Sequence, residues 1–255
     1  MSANRMTTDE WYREAFDAQY LEVYPWRDEA SAEAEVSSAI DWLQGQEGDR
    51  WLDLCCGAGR HSHWLQQAGF DLVSLDLSGD LLAEARRRLG PEAVLVQSDV
   101  RSMPLEAASF DHVVMFFTSF GYFPTDEENR AVLKEIARVV RPGGGFLLDL
   151  PDRESVISGL IPTSQRNQGD LHIDETRSIS GDGKRVEKKV VLSRDGNVRS
   201  YTESVRLFGI DEIENMLEAT GWISDQVHGN WVGDPYRSGK SQRMIVLAHR
   251  VEGDR

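Results

Sequence analysis

Residues 51–61 read Trp51-Leu52-Asp53-Leu54-Cys55-Cys56-Gly57-Ala58-Gly59-Arg60-His61, an apolar run that carries an acid and then breaks into a two-glycine turn. Residues 51–54 predict a buried parallel strand, Gly57 and Gly59 permit a tight turn with positive φ, and a helix is expected over 61–67. Backbone N–H groups at such a helix start lack an intrahelical acceptor and face a ligand instead. Two more acids fall at comparable places: Asp76 ends the apolar run 70–76, and Asp99 follows the run 93–97. An acid at the carboxyl end of the second strand can accept from both hydroxyls of a ribose laid across the strand ends. Further on, the segment 118–123 is apolar and aromatic where a loop is ordinarily polar, which marks contact with a ligand. Tyr122 within it and His228 downstream are the candidate positioning or proton-accepting groups.

Two chemistries compete for the turn. A dinucleotide fingerprint requires a third glycine three residues after the second, and that position is Ser62. Hydride transfer by an NAD(P)-dependent oxidoreductase is therefore the weaker alternative. The stretch resembles the first motif of class I S-adenosylmethionine-dependent methyltransferases, acid-x-Gly-x-Gly-x-Gly, with Asp53, Gly57 and Gly59 in place and Cys55 where the family usually has its first glycine. The Cys55 carbonyl can still accept from the cofactor's ammonium. The resemblance implies that Asp76, with Leu77 beside it, holds the ribose, that Asp99 meets the adenine amino group, and that the Val100 N–H meets a ring nitrogen. Phe116, at the end of the fourth strand, joins that cofactor-binding set. An aromatic stretch such as residues 20–27, which begins at Tyr20, lies over the methionine end in this family. The loop 118–123 resembles that of small-molecule N-methyltransferases, including sugar-amine and glycine types. In those a Ser-x-x-His-like pattern presents a histidine to the acceptor, whereas this chain has Tyr122 there.

The implied function is transfer of a methyl group from S-adenosyl-L-methionine to a small-molecule acceptor by in-line displacement, with the accepting atom (N, O or C) open. A non-catalytic S-adenosylmethionine-binding protein is the other alternative, and the aromatic loop argues against it. Composition narrows the partners. The 255 residues carry 28 Lys and Arg against 43 Asp and Glu, a formal charge of −15, so a phosphate-covered partner meets net repulsion. The run Arg86-Arg87-Arg88 lies on the exposed side of a helix whose apolar face is Leu81, Leu82, Ala85 and Leu89. Nucleic acid and an anionic membrane are excluded as partners on these grounds, and a homodimer stays open. The two cysteines are adjacent and cannot form an ordinary structural disulfide, which fits a reducing compartment. Without a basic-then-apolar leader or a membrane-length apolar window, a soluble cytoplasmic protein is expected. His61 and His63, two apart on a helix, point away from each other with no further ligands beside them, so no metal centre is expected.

These residues need an α/β frame. The expected fold is a Rossmann-like, seven-stranded, mostly parallel sheet ending in an antiparallel hairpin (222–232 and 243–250), with a small inserted antiparallel sheet. Strands are read at 51–54, 70–76, 93–97, 110–117 and 146–150, and helices at 30–43, 126–140 and 210–220. A stop signal, Arg141-Pro142-Gly143-Gly144-Gly145, closes the helix before the fifth strand. The whole chain reads as one methyltransferase domain. Residues 1–29 form an N-terminal cap whose first eight residues look disordered. Residues 152–208 form an inserted lid or interface sheet, with strands at 171–179, 185–192 and 198–208.

Overall fold

Period-two alternation along the central strands decides the layering. In the computed structural model, which describes residues 10–24 and 29–252, Trp51, Val114, Leu147, Ile245 and Leu247 pack on one face of a sheet. Leu52, Leu54, Val113, Met115, Phe146, Leu148 and Val246 pack on the other. Both faces are therefore covered, as a parallel sheet requires.

The chain begins with two short helices, α1 (Tyr12–Ala15) and α2 (Tyr20–Val23), and then α3 (Glu29–Trp42). Strand β1 (Arg50–Leu54), helix α4 (Arg60–Gln67), strand β2 (Asp71–Asp76), helix α5 (Gly79–Leu89) and strand β3 (Val94–Gln97) follow, and then β4 (Phe110–Met115), α6 (Asp126–Val139) and β5 (Val140–Pro151). Next come α7 (Arg153–Ser158), the strands β6 (Thr163–Gln168), β7 (Leu171–Ile179), β8 (Arg185–Arg194) and β9 (Asn197–Arg206), then α8 (Ile210–Glu218), β10 (Trp222–His228) and β11 (Arg243–Arg250). The main sheet has the order β10-β11-β5-β4-β1-β2-β3, with β11 antiparallel to both its neighbours. Strand order reverses between β1 and β4, so the carboxyl ends of β1, β2 and β4 open a crevice where ligands bind in such sheets. Helix α6 is anchored there by a capping box in which Thr125 and Glu128 satisfy each other's backbone N–H. Among the described residues no helix is long and apolar enough to cross a membrane.

The second sheet has four antiparallel strands, β6-β7-β8-β9, one more than expected. Strand β6, Thr-Ser-Gln-Arg-Asn-Gln, has no apolar residue and so no pattern to read; it pairs at the edge with β7. Leu171, Ile173, Val190, Leu192 and Tyr201 of this sheet join one core cluster with Trp11, Tyr12, Ala15 and Val23 of the N-terminal cap. The sheet's apolar side is thus completed by the cap. Polar ties reinforce it: Trp11 Nε1 donates to the Ser204 carbonyl at 3.1 Å, Lys188 Nζ to Tyr24 Oη at 2.6 Å, and Tyr24 Oη to Glu203 at 2.8 Å, while Arg199 pairs with Asp17 and Arg194 with Glu22. The stop signal at 141–145 does end α6, at Val139, but these residues already belong to β5, which starts six residues earlier than expected; Gly144 and Gly145 lie against Asp111 and His112, with no room there for a Cβ. Strand β4 ends at Met115, two residues short of its expected end. Residues 1–8 and the Pro25-Trp26-Arg27 part of the aromatic stretch lie outside the described residues.

Candidate active site

The turn after β1 takes its shape from three left-handed residues: Cys55 (φ 62°), Gly57 (φ 55°) and Gly59 (φ 74°). The two glycines do different work. A Cβ on Gly59 would lie 3.1 Å from Ala85 Cβ and 3.2 Å from Leu89 Cδ1, so that glycine lets α4 approach α5. Gly57 has no such crowding, its nearest neighbour being Leu81 Cδ1 at 3.9 Å, and its N–H donates to Asp76 Oδ2 at 2.8 Å. Asp76 Oδ1 accepts from the Ser78 N–H, also at 2.8 Å. Each oxygen of Asp76 keeps a further lone pair for a ligand. Burial raises its pKa, and the bonds from Ser78 and Gly57 oppose that rise.

Asp53 lies underneath the turn. It is buried, on the α4 face of the sheet, and accepts from Ser62 Oγ at 2.5 Å; Ser62 in turn accepts from Ser74 Oγ at 2.9 Å. Burial pushes its pKa up to about 7. The serine at the place of a third glycine therefore serves the buried acid.

A cavity of about 270 Å3 opens at the carboxyl ends of β1, β2 and β3. Cys55, Gly57, Asp76, Leu77, Gln97, Asp99 and Val100 line its sheet side, and Phe16, Tyr20 and Tyr122 line the cap side. Phe16 stacks on Tyr122 with ring centroids 5.7 Å apart, and Trp11 meets Tyr122 edge-on at 4.8 Å. Burial raises the Asp99 pKa, but the hydrogen bond from Arg101 outweighs it and holds the carboxyl below its ordinary value; Arg101 Nη2 is 2.8 Å away. Thr118 Oγ1, from another residue of this wall, is buried without a hydrogen-bond partner. The Tyr122 hydroxyl donates to the Thr118 carbonyl. Flat aromatic walls suit a planar ring, and the acids suit hydroxyl and amino groups.

A second cavity adjoins the first through Tyr20, Cys55, Gly57, Leu81 and Ser119, which line both. Its other walls include Arg60, His61, Phe116 and Phe117. Behind them runs a polar chain. His61 Nε2 lies 2.6 Å from Glu35 Oε2, Arg243 lies 4.0 Å from the other Glu35 oxygen, and Arg243 Nη2 donates to Asp149 Oδ2 at 2.7 Å. Asp149 also accepts from the Phe117 N–H at 3.2 Å, and the Arg243 guanidinium stands 3.8 Å over the Phe117 ring. Burial drives Asp149 up to about 7, and burial drives His61 down to about 4 against the pull of Glu35.

The structure thus brings Tyr20, Cys55, Gly57, Asp76, Leu77, Asp99, Val100 and Tyr122 to one cavity and Phe116 to the next. Asp53 and Gly59 support the turn from below. His228 is not brought in: its ring packs 4.2 Å from Trp42 and lines neither cavity. Sequence reasoning missed Glu35, Arg243 and the place of His61. The usable signal was period-two alternation, which puts Asp149 two residues after Leu147 on the face covered by α3 and α4. Among the described residues no three His, Cys, Asp or Glu side chains gather as metal ligands.

A family model described as a methyltransferase domain matches residues 52–144. The dTDP-3-amino-3,4,6-trideoxy-alpha-D-glucopyranose N,N-dimethyltransferase of Streptomyces venezuelae is 40% identical over 207 residues, which cover 77% of this chain and 85% of that protein. The crystal structure of Streptomyces venezuelae DesVI superposes with a TM-score of 0.68 at 26% identity, covering 91% of this chain and 97% of that one. An S-adenosylmethionine-dependent methyltransferase from Clostridium acetobutylicum ATCC 824 shares the fold with a TM-score of 0.77 at 17% identity, covering 92% and 96%. By its strand order, its glycine turn and these likenesses, the chain belongs to the class I S-adenosylmethionine-dependent methyltransferases.

Proposed function

We propose that this enzyme methylates the amino group of a small molecule, with an amino sugar as the acceptor class. The observation that carries the reading is the pair of joined cavities, the first walled on its cap side by Phe16, Tyr20 and Tyr122, and the second by Phe116 and Phe117. Walls of this kind suit a small acceptor held against the cofactor. The 40% identical relative, named for dimethylating an amino sugar, supports the nitrogen as the accepting atom.

The residues present fit the cofactor. Asp76 keeps a lone pair free on each oxygen, Gly57 leaves room for a close approach, and Thr118 Oγ1 is a buried hydroxyl awaiting a partner. In this reading Asp76 binds the ribose hydroxyls, Asp99 and Val100 frame the adenine between Leu77 and the aromatic wall, and Tyr20 and the Cys55 carbonyl face the methionine end. Asp99 is already bonded by Arg101, so an adenine amino group shares that carboxylate with the guanidinium. When bound, S-adenosylmethionine supplies a methyl carbon made electrophilic by its sulfonium. The protein then has to hold the acceptor nitrogen close and collinear and to keep water away, which is the work of the aromatic cap and the loop 118–123.

The test is incubation with S-adenosylmethionine and a dTDP-3-aminosugar, read by mass spectrometry. Products heavier by one and two methyl groups are expected. Methylation of purified RNA or protein in the same assay, with none of the sugar, would refute the assignment. In a thermal-shift series S-adenosylmethionine should raise Tm and NAD should leave it unmoved, since only a ligand of the native state stabilises it.

A further inference from the structure

The second cavity contains a histidine that the transfer described above does not use. His61 stacks face to face on Phe116, centroids 3.8 Å apart and planes at 8°, which fixes the plane of its ring. Its Nε2 lies 2.6 Å from Glu35 Oε2 and 3.1 Å from Arg60 Nη2. Burial raises the Glu35 pKa, but the hydrogen bond from His61 outweighs it and holds the carboxyl below its ordinary value, so Glu35 can only accept. This shorter contact places the ring proton on Nε2, with the Arg60 guanidinium, which can only donate, close by but not bonded to it, and leaves the lone pair of the neutral ring on Nδ1. Both polar contacts that the described residues make to the ring reach Nε2, so among them Nδ1 is unbonded, and the ring lines the cavity.

The other candidates for proton chemistry are committed elsewhere. The Tyr122 hydroxyl donates to the Thr118 carbonyl, and His228 is packed on Trp42. We propose that His61, held by Glu35, accepts through Nδ1 the proton that an amine gives up to be methylated in the second cavity, and is the proton acceptor of the reaction. The inference rests on the amine reading above. The amine enters as its ammonium, and one N–H proton passes to His61 Nδ1, with Glu35 compensating the imidazolium. The freed nitrogen lone pair then forms the N–C bond while the C–S bond breaks and its electrons remain on sulfur, and the proton on His61 leaves for solvent.

The groups facing the ring are Glu35 from α3, Arg60 beside it on α4, and Arg243 from β11, while Glu84 and Arg88 of α5 line the same cavity. Burial, with Arg60 and Arg243, keeps His61 neutral near pH 7, while Glu35 pulls the other way and favours the protonated ring.

The deciding variant is His61→Phe, which preserves the stack on Phe116 and removes both nitrogens. Affinity for S-adenosylhomocysteine, measured by calorimetry, should stay within about twofold of wild type, while kcat with a dTDP-3-aminosugar falls about tenfold or more. The residual activity should climb about tenfold per pH unit toward the amine's own pKa, because the variant depends on acceptor already deprotonated in solution, whereas the wild-type profile is flatter. Equal kcat and superimposable pH profiles would overturn the role. If His61→Phe fails to bind S-adenosylhomocysteine, His61→Asn is read the same way: the steep profile supports the role and a wild-type profile refutes it. A wild-type enzyme that leaves the amine unmethylated refutes the amine reading, and the role of His61 falls with it.

Discussion

Asp76 clamps the glycine turn to the start of α5: one carboxylate oxygen accepts from the Gly57 N–H and the other from the Ser78 N–H, both at 2.8 Å. The same side chain is offered to the ligand and shapes the cradle around it. Asp76→Ala should therefore weaken S-adenosylhomocysteine binding by about 1.5–3 kcal/mol, or roughly 10–150-fold, the value of hydrogen bonds to a charged group. Unchanged affinity in calorimetry would move the ribose elsewhere.

Asp53 carries a pH dependence of its own. Its folded pKa is pushed up to about 7 by burial, from an ordinary value of 3.8, so between those values the folded state holds a proton that the unfolded chain has released. The stability this proton contributes is complete below about 3.8 and is lost as pH rises through 7. Asp53→Asn, which keeps an acceptor for Ser62 Oγ, should remove that loss. Denaturant titrations from pH 5 to pH 8 should show the variant gaining on wild type as pH rises; parallel curves would mean Asp53 stays ionised in the fold.

The order of elements through β5 was legible because parallel strands covered on both faces are largely apolar runs, and the first three have an acid in or just after them: Asp53, Asp76 and Asp99. Asp76 could be placed by strand-end logic, and Asp99 by the family resemblance. Residues that act by long-range packing could not. Glu35 and His61 are joined only because α3 crosses α4, and Arg243 reaches Asp149 only because β11 inserts beside β5. His228 lies outside both cavities for the same kind of reason: its ring packs on Trp42 of α3, a contact between segments far apart in the chain. Cys55 is instructive in another way. It adopts the left-handed conformation at the place where the family has glycine, so the departure in residue type is not a departure in backbone.

The loop 118–123 is held against the inserted sheet at Gly121. Its carbonyl accepts from the Arg206 N–H at 2.8 Å, its φ is 90°, and a Cβ there would lie 2.6 Å from the Arg206 carbonyl oxygen. Arg185 adds bonds to the carbonyls of Phe123 at 3.1 Å and Gly121 at 3.3 Å. Gly121→Ala meets both a backbone clash and a strained φ, and should cost about 2–4 kcal/mol in chemical denaturation while prising the loop from the sheet. A variant as stable as wild type would show that loop and sheet are not locked together.

Tyr122 has two separable parts. Its ring is gripped between Phe16, stacked at 5.7 Å, and Trp11, edge-on at 4.8 Å, and its hydroxyl donates to the Thr118 carbonyl two residues past the end of Phe116. If the residue works as a wall of the cavity, the ring matters more than the hydroxyl. Tyr122→Phe then keeps most activity, losing the roughly 0.5–1.5 kcal/mol of one neutral hydrogen bond from the stability of the loop. Tyr122→Ala removes the wall and should lower kcat/KM about tenfold or more, with S-adenosylhomocysteine affinity less affected because the Asp76 clamp remains. Measuring both variants separates positioning from proton transfer. A Tyr122→Phe enzyme as inactive as Tyr122→Ala would place the phenol in the chemistry and displace His61 from it.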